Sequence, residues 1–176
     1  YLVSVLKNIS RIDIVAVKND VKEIVVFLTK ENSKAIQCHC INLESGESGF
    51  QFQFRDEENA HSEYAEPEKF IYIPNNTLLK AGIFNLISEK FNLKKLHPNT
   101  HIYTSDTEID NFSGRVFEME VIEGKQIKKK SQYNIISKNY PLKPEEIKKK
   151  YGLKDGGNDY LIFTQSKKGK LILKSV

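Results

Sequence analysis

The sequence predicts an α+β protein made of two small modules of mainly antiparallel sheet, with one long and one short helix. Its 176 residues suit one domain, or two small domains that share an interface. Most apolar segments are short, β-branched or alternating, and turn residues separate them, which is typical of strands joined by hairpins. Two later segments carry the residues that begin and end helices.

The first part of the chain contains most of the predicted strands. Residues 2–10 are predicted to end a helix, since their apolar residues recur at helical spacing. Two apolar runs then flank Asn19 and Asp20, which predicts a β-hairpin. The acidic, turn-rich segment 55–68 predicts a loop. The strands predicted here are 12–18, 21–28, 35–43, 50–54 and 70–73.

The longer helix is predicted over residues 77–91. Asn75 or Asn76 can cap its first turn, and lysines lie near its end, where the helix dipole favours cations. Gly82 lies in the middle of this segment, where glycine costs about 1 kcal/mol relative to alanine. We interpret Gly82 as a close-packing contact.

The segment 96–117 is rich in hydrogen-bonding groups and holds two of the four histidines. Pro98 and Gly114 mark turns in it. We predict that this segment joins the two modules, which span residues 1–95 and 96–176.

The last part of the chain predicts a small helix among strands. Proline fits a first helical position and glycine a C-terminal cap, so the helix begins at Pro144 and ends before Gly152. The strands predicted around it are 116–122, 132–137, 159–165 and 170–174.

Charge is distributed unevenly along the chain. Residues 1–95 carry 12 Lys and Arg against 13 Asp and Glu, and residues 96–124 carry one against six. Residues 125–176 carry 14 against four, a net charge of +10. Such a basic segment predicts a polyanionic partner, nucleic acid first of all. A solvated lysine-rich surface is the main alternative. The sequence contains no run of 18 apolar residues and no long amphipathic helix, so it does not favour a membrane partner.

The basic segment supplies the lysines predicted to contact RNA. They form two triplets and one residue beside a glycine turn: Lys128, Lys129, Lys130, Lys148, Lys149, Lys150 and Lys154. With the lysines at 167, 168 and 170 they could line one groove for a phosphate backbone. Three tyrosines between them could stack on bases, although Tyr151 is expected to pack inward; the other two are Tyr133 and Tyr140.

The polar groups of segment 96–117 form the second set of candidates. His97, Asn99, His101 and Tyr103 are predicted to read RNA shape or a 2′-hydroxyl group at the joint. The two histidines are four residues apart, but the proline between them disfavours a helix, and with it a metal site. Hydrogen bonds within a turn or strand are the leading alternative for both.

The sequence shows no complete catalytic site and no metal site. It contains neither G-x-x-x-x-G-K-[ST] nor G-x-G-x-x-G. Cys38 and Cys40 would share one strand face at a spacing poor for a disulfide, and His39 would point away, so core packing is predicted. Cysteines without a disulfide fit a reducing cytoplasm.

Several linked segments resemble one bacterial family, the class I S-adenosylmethionine-dependent methyltransferases that carry a THUMP-like end domain. The resemblance covers nearly the whole chain and departs at Ser113, where the family has proline. The segments that carry it are VAVKNDVKE (15–23), PNNTLLKAGIF (74–84), LHPNTHIYTSD (96–106), SGRVFE (113–118), KNYPL (138–142) and LKDGGNDYL (153–161).

This resemblance implies a ferredoxin-like module over 50–95, followed by a THUMP-like domain over 96–176. Residues 12–29 would end the sheet of the methyltransferase domain. The implied function is recognition of structured RNA for a catalytic domain that precedes Tyr1 and binds S-adenosylmethionine. This chain alone is then expected to hold no cofactor and to be inactive.

The alternative function is a protein-interaction or dimerisation module that binds no nucleic acid. The clean alternation of residues 50–54 would give this module an exposed face of three rings, Phe50, Phe52 and Phe54.

Overall fold

The computed structural model describes residues 2–31 and 35–176. One four-stranded and one seven-stranded sheet, with mainly antiparallel pairing, are accompanied by short helices, so the predicted α+β class is confirmed. None of the described helices is long and apolar enough to cross a membrane. The chain forms two units. Unit 1 comprises Tyr1–Ser62, Pro74–Asn92 and Ile109–Arg115, and unit 2 comprises Glu63–Ile73, Leu93–Glu108 and Val116–Val176.

The sheet of unit 1 has the order β2-β1-β3-β4. Its elements are the short helix α1 (Leu2–Val5) and the strands β1 (Ile9–Val17), β2 (Asp20–Leu28), β3 (Gln37–Leu43) and β4 (Phe50–Gln53). The predicted hairpin of β1 and β2 is confirmed, and β1 also pairs in parallel with β3. Lys18 and Asn19 form its turn with φ angles of 49° and 66°, the left-handed geometry that tight hairpin turns require.

Three further helices belong to unit 1, and two of them replace the single long helix predicted over residues 77–91. They are α2 (Asp56–Asn59), α3 (Asn76–Ala81) and α4 (Phe84–Phe91). Gly82 ends α3 with a φ of 74°. No heavy atom lies within 4 Å of the position that a Cβ at Gly82 would take, so close packing is the wrong explanation for this glycine. The left-handed backbone is the reason, because it favours glycine and breaks the helix.

The starts of α3 and α4 are capped by side chains. The Asn75 side-chain oxygen accepts hydrogen bonds from the backbone N–H groups of Thr77 and Leu78. The Glu57 carboxylate accepts from the backbone N–H of Asn85 at 2.9 Å and of Leu86 at 2.7 Å. A cap of this kind stabilises a helix by about 1 kcal/mol. The predicted loop 55–68 therefore contains a helical turn, α2, whose Glu57 caps the start of α4.

The asparagines of two family-like segments bind each other. The Asn76 backbone N–H donates to the Asn19 side-chain oxygen at 2.7 Å, and the Asn76 side-chain amide donates to the Asn19 carbonyl at 2.6 Å. These bonds tie the β1–β2 turn to α3. The segments 15–23 and 74–84 therefore contribute to the architecture of unit 1.

The phenylalanine face of β4 packs within unit 1. The ring centroid of Phe50 lies 5.7 Å from that of Phe91, which in turn lies 5.0 Å from Phe112. Phe52 is 7% exposed, and Phe54 at 40% is the only one of the three counted as exposed. The expectation of an exposed three-ring face is wrong. Packing against Phe91 and Phe112 removes apolar surface from water, which stabilises the folded protein.

The sheet of unit 2 has the order β6-β7-β5-β8-β11-β10-β9. The strands are β5 (Phe70–Pro74), β6 (Lys94–His97), β7 (Thr100–Ser105), β8 (Gly114–Ile122), β9 (Asn134–Ser137), β10 (Tyr160–Ser166) and β11 (Gly169–Ser175). One helix, α5 (Pro144–Tyr151), and a 3₁₀ turn, Gly124–Gln126, accompany them. The predicted helix and the closing hairpin of β10 and β11 are confirmed.

Strand β10 is covered on both faces. Leu161 and Phe163 point to a cluster that includes Ile147 of α5, while Ile162 points to a second cluster that includes Leu96 and Ile102 of the β6–β7 hairpin. Successive side chains of a strand point to opposite faces, so α5 and the β6–β7 hairpin occupy opposite sides of β10.

Candidate nucleic-acid interface

Backbone hydrogen bonds bring the two lysine triplets together. Lys130 donates its N–H to the Gly152 carbonyl at 2.7 Å, just beyond the end of α5. Lys154 donates to the Ser131 carbonyl at 3.0 Å. The segment after the 3₁₀ turn is thereby fixed beside the end of the helix. We call the resulting group the lysine cluster: Lys128, Lys129, Lys130, Lys148, Lys149, Lys150 and Lys154.

Helix α5 positions the second triplet at its C-terminal end. Its first turn is fixed by Pro144 and by the Glu146 carboxylate, which accepts from the Lys143 backbone N–H at 2.7 Å. Ile147 is fully buried and holds the helix against the sheet. Lys149 and Lys150 then lie on the solvent side, where the negative end of the helix dipole stabilises their charge.

Lys148 differs from the rest of the lysine cluster. Its Nζ lies 2.7 Å from an Asp155 carboxylate oxygen and 4.0 Å from one of Glu145. The other six members are exposed, and within residues 2–31 and 35–176 none of them forms an ion pair. Six lysine charges therefore face solvent, and the seventh is balanced by its neighbours.

The three interleaved tyrosines pack into the core of unit 2. Tyr133 is buried, and the rings of Tyr140 and Tyr151 lie 5.4 and 5.6 Å from the ring of Phe163. The inward packing expected for Tyr151 is confirmed. The burial of Tyr133 leaves little of its ring for a base, and Tyr140 is half-buried against Phe163.

The second candidate group, residues 97–103, we call the polar turn. Its first members hold the turn between β6 and β7, where the Asn99 backbone N–H donates to Nδ1 of His97 at 3.0 Å. Asn99 itself is exposed and His97 is half-buried. Tyr103 is 0% exposed, so its side chain does not reach the surface of the protein. The alternative that these groups form hydrogen bonds within a turn is confirmed for His97.

The pKa of His101 is strongly lowered. Burial, followed by the positive charges of Lys95 and Lys138, lowers the pKa of His101 from 6.5 to about 4. Lys95 is itself only 3% exposed, and its Nζ donates to the Pro98 carbonyl at 3.1 Å. At neutral pH His101 is therefore an uncharged hydrogen-bonding group with two lysines, Lys95 and Lys138, nearby.

The lysine cluster and the polar turn lie at opposite ends of β10. Tyr133, just before β9, donates its N–H to the Lys154 carbonyl at 3.1 Å. At the far end, the Thr100 hydroxyl donates to the Gln165 carbonyl at 3.4 Å. Strand β10 has seven residues, so the two sites are separated by about 20 Å. Lys167 and Lys168 follow the far end, so they do not share one groove with the lysine cluster.

An aromatic residue that the sequence analysis did not predict lies beside the polar turn. The Nζ of Lys167 lies 3.8 Å from the ring centroid of Tyr64, a residue of the segment 55–68. Tyr64 is 36% exposed. The signal available in the sequence was an isolated aromatic residue among acidic residues. The lysine that contacts it, Lys167, is about a hundred residues away in the chain.

The cysteines of β3 are part of the core of unit 1, as predicted. Both are free and buried. Burial is the main cause that raises the pKa of Cys38 to about 11 and that of Cys40 to about 12. Such thiols remain protonated at neutral pH and are poor nucleophiles. Among the described residues there is no group of three or more His, Cys, Asp or Glu that could hold a metal ion.

Two domain families match the chain. Residues 70–112 match a ferredoxin-like domain, and residues 114–174 match a THUMP domain-like family. The whole lysine cluster lies in the second range, and the polar turn lies in the first. The ferredoxin-like and THUMP-like parts expected from the resemblance are thus confirmed in that order, while the boundary between 95 and 96 stays a prediction.

The chain is also similar to a solved crystal structure, that of a putative methyltransferase from Porphyromonas gingivalis W83. The two sequences are 29% identical, the TM-score is 0.84, and the similarity covers 97% of this chain. It covers 46% of the other chain, so this chain spans less than half the length of that protein. No curated protein matches the chain.

Proposed function

We propose that this chain is the substrate-recognition region of an S-adenosylmethionine-dependent RNA methyltransferase. The lysine cluster carries the proposal, because it places six exposed cations inside the range that matches the THUMP domain-like family. The likeness to a putative methyltransferase of about twice the length supports it. The substrate is structured RNA, whose phosphates attract the cluster.

The lysine cluster suits a phosphate backbone for two reasons. Its main chain is fixed by hydrogen bonds to Gly152 and Ser131, so the charges are held together before RNA arrives. Lysine side chains neutralise phosphates and release counterions, which makes binding strong at low salt and weak at high salt. Lys148 contributes less than the others, since Asp155 already balances its charge.

The polar turn has a more limited role in this proposal. Asn99, His97 and the uncharged His101 contact RNA through hydrogen bonds, and a 2′-hydroxyl group, which both donates and accepts, is a suitable partner for them. Tyr103 takes no part, because its side chain is buried.

The methyl-transfer chemistry belongs to a catalytic domain outside this chain. The sequence has no G-x-G-x-x-G loop to hold S-adenosylmethionine, so the residues present do not fit the cofactor. The role of this region is to bind the RNA and orient the target base towards that domain, which is its second partner. On its own, the 176-residue chain binds RNA without methylating it.

A salt titration of RNA affinity tests the proposal. The 176-residue chain is expected to bind a structured RNA hairpin with an affinity that falls steeply as salt rises. Replacing Lys129, Lys150 and Lys154 with glutamate is expected to lower the slope of log K against log salt by about 3. The matched control replaces Lys18, Lys80 and Lys90, exposed lysines of unit 1, and leaves the slope nearly unchanged.

Two results would contradict the proposal. The first is a chain that binds no RNA at low salt. The second is an equal loss with both triple variants, which would mean that only net charge matters. Dimerisation of the chain without RNA binding would instead support the interaction module.

A further inference from the structure

A second surface of unit 2 combines an aromatic ring with cations, at the end of β10 opposite the lysine cluster. We call it the Tyr64 patch, and its members are Tyr64, Lys167 and Lys168. The ring of Tyr64 is 36% exposed and carries the Lys167 ammonium at 3.8 Å from its centroid. Lys167 and Lys168 are exposed in the β10–β11 turn.

Both principal members of the patch are fixed to the same strand by backbone hydrogen bonds. On either side of Tyr64, Lys95 donates to the Glu63 carbonyl at 2.8 Å, and Ala65 donates to the Lys95 carbonyl at 3.0 Å. The Lys167 N–H donates to the Leu96 carbonyl at 3.1 Å. The segment of Tyr64 and the β10–β11 turn therefore sit beside β6, and the ring and its cation are arranged before any ligand binds.

Lys167 is the cation that contacts this ring. The Glu66 carboxylate accepts from the Ser166 hydroxyl at 2.9 Å, which uses part of its capacity. The nearby pair of Lys94 and Glu68, at 2.6 Å, is neutral overall.

We propose that the Tyr64 patch stacks an unpaired nucleotide of the RNA whose backbone lies on the lysine cluster. A base stacks on the exposed part of the Tyr64 ring that the Lys167 ammonium does not cover, and the adjacent lysines hold the phosphates that flank it. The inference rests on the proposed function and adds a contact to it. One RNA that reaches both sites must extend over about 20 Å, the length of β10.

Two RNAs that differ only in unpaired nucleotides test this inference. One is a blunt hairpin, and the other is the same hairpin with a single-stranded extension. The 176-residue chain is expected to bind the extended RNA more tightly. Tyr64→Ala should weaken binding of the extended RNA about fivefold or more and leave the blunt hairpin unchanged, because a stacked base is lost. Tyr64→Phe, which keeps the ring, should bind like the unmodified chain.

Further variants make the test specific. Lys167→Glu should lower the salt slope for the extended RNA by about 1. Phe54→Ala, at an exposed ring of unit 1, is the matched aromatic control and should change neither affinity. If Tyr64→Ala does not fold, the Lys167→Glu slope decides, and an unchanged slope overturns the proposal.

The proposal is also overturned if Tyr64→Ala binds the extended RNA normally, or weakens both RNAs equally. In either case the lysine-cluster triple variant still reports on the proposed function. Loss of binding with that variant alone would leave the function standing and remove the Tyr64 contact. No RNA binding at all would instead refute the function.

Discussion

The lysine cluster and the polar turn lie at opposite ends of β10 and use their side chains in opposite ways. In the lysine cluster the backbone makes the structural bonds, through Lys130 and Lys154, and the ammonium groups of six lysines remain exposed. In the polar turn the side chains make the structural bonds, as His97 does with the Asn99 N–H.

The difference follows from the cost of removing each group from water. A hydroxyl, imidazole or amide can be buried once it has hydrogen-bond partners, so a turn rich in such groups can use them for its own fold. An ammonium group is much more costly to bury, so most lysines of a basic segment stay at the surface. Hydrogen-bonding richness is therefore a weaker sign of ligand contact than lysine clustering.

The largest expected effect is a loss of stability when a buried residue of the polar turn is replaced. Tyr103→Ala should lower the free energy of unfolding by about 3–5 kcal/mol, as for other large aromatic truncations in a core. Urea unfolding of the 176-residue chain measures it, and Tyr103→Phe, which keeps the ring, is the control. The folded fraction should bind RNA normally. If Tyr103→Ala instead weakened RNA binding and left stability unchanged, the Tyr103 ring would contact RNA, and the contrast between the two regions would be wrong.

A smaller effect concerns the pH dependence of the polar turn. The unfolded chain takes up a proton at His101 as pH falls through 6.5, whereas the folded protein does so only near a pKa of about 4. Stability from this group is complete above pH 6.5 and is lost as pH falls to 4, by about 1–3 kcal/mol.

Replacement of this histidine isolates its share of the pH dependence. His101→Gln should flatten the stability profile between pH 6.5 and 4, measured by urea unfolding at several pH values. His61→Gln, at an exposed histidine of unit 1, should keep the full slope. Identical profiles for the two variants would show that His101 protonates in the folded protein as it does in the unfolded chain.

The smallest effect lies within the lysine cluster itself. Lys149→Gln should lower the salt slope of RNA binding by about 1, because one phosphate contact is lost. Lys148→Gln should lower it by less, since Asp155 already lies 2.7 Å from the Lys148 ammonium. Salt titrations of both variants with one RNA hairpin give the comparison. A larger effect for Lys148 would mean that RNA displaces Asp155.

Local patterns accounted for much of the fold. The alternation of β4, the apolar runs of β1 and β2, and the caps of α5 each depend on neighbours within a few residues, so periodicity and turn chemistry predicted them. The break at Gly82 was missed because a helical pattern tolerates a single glycine, and only its φ of 74° shows that α3 ends there.

The sites depended more on tertiary contacts. The +10 charge of residues 125–176 identified the lysine cluster, because charge needs no partner to be visible in a sequence. The balance of Lys148 by Asp155 and the burial of Tyr103 were not visible, since both depend on which elements pack together.

The sequence by itself determined the α+β class, the positions of most strands along the chain and the position of the basic segment. The tertiary structure decided which polar groups are exposed. It divided the basic residues between two ends of β10 and brought Lys167 to Tyr64, beside a hydrogen bond that joins Ser166 to Glu66 across 100 residues. The packing of β6 against the end of β10 brings Lys167 into contact with Tyr64, and no local sequence pattern predicts this contact.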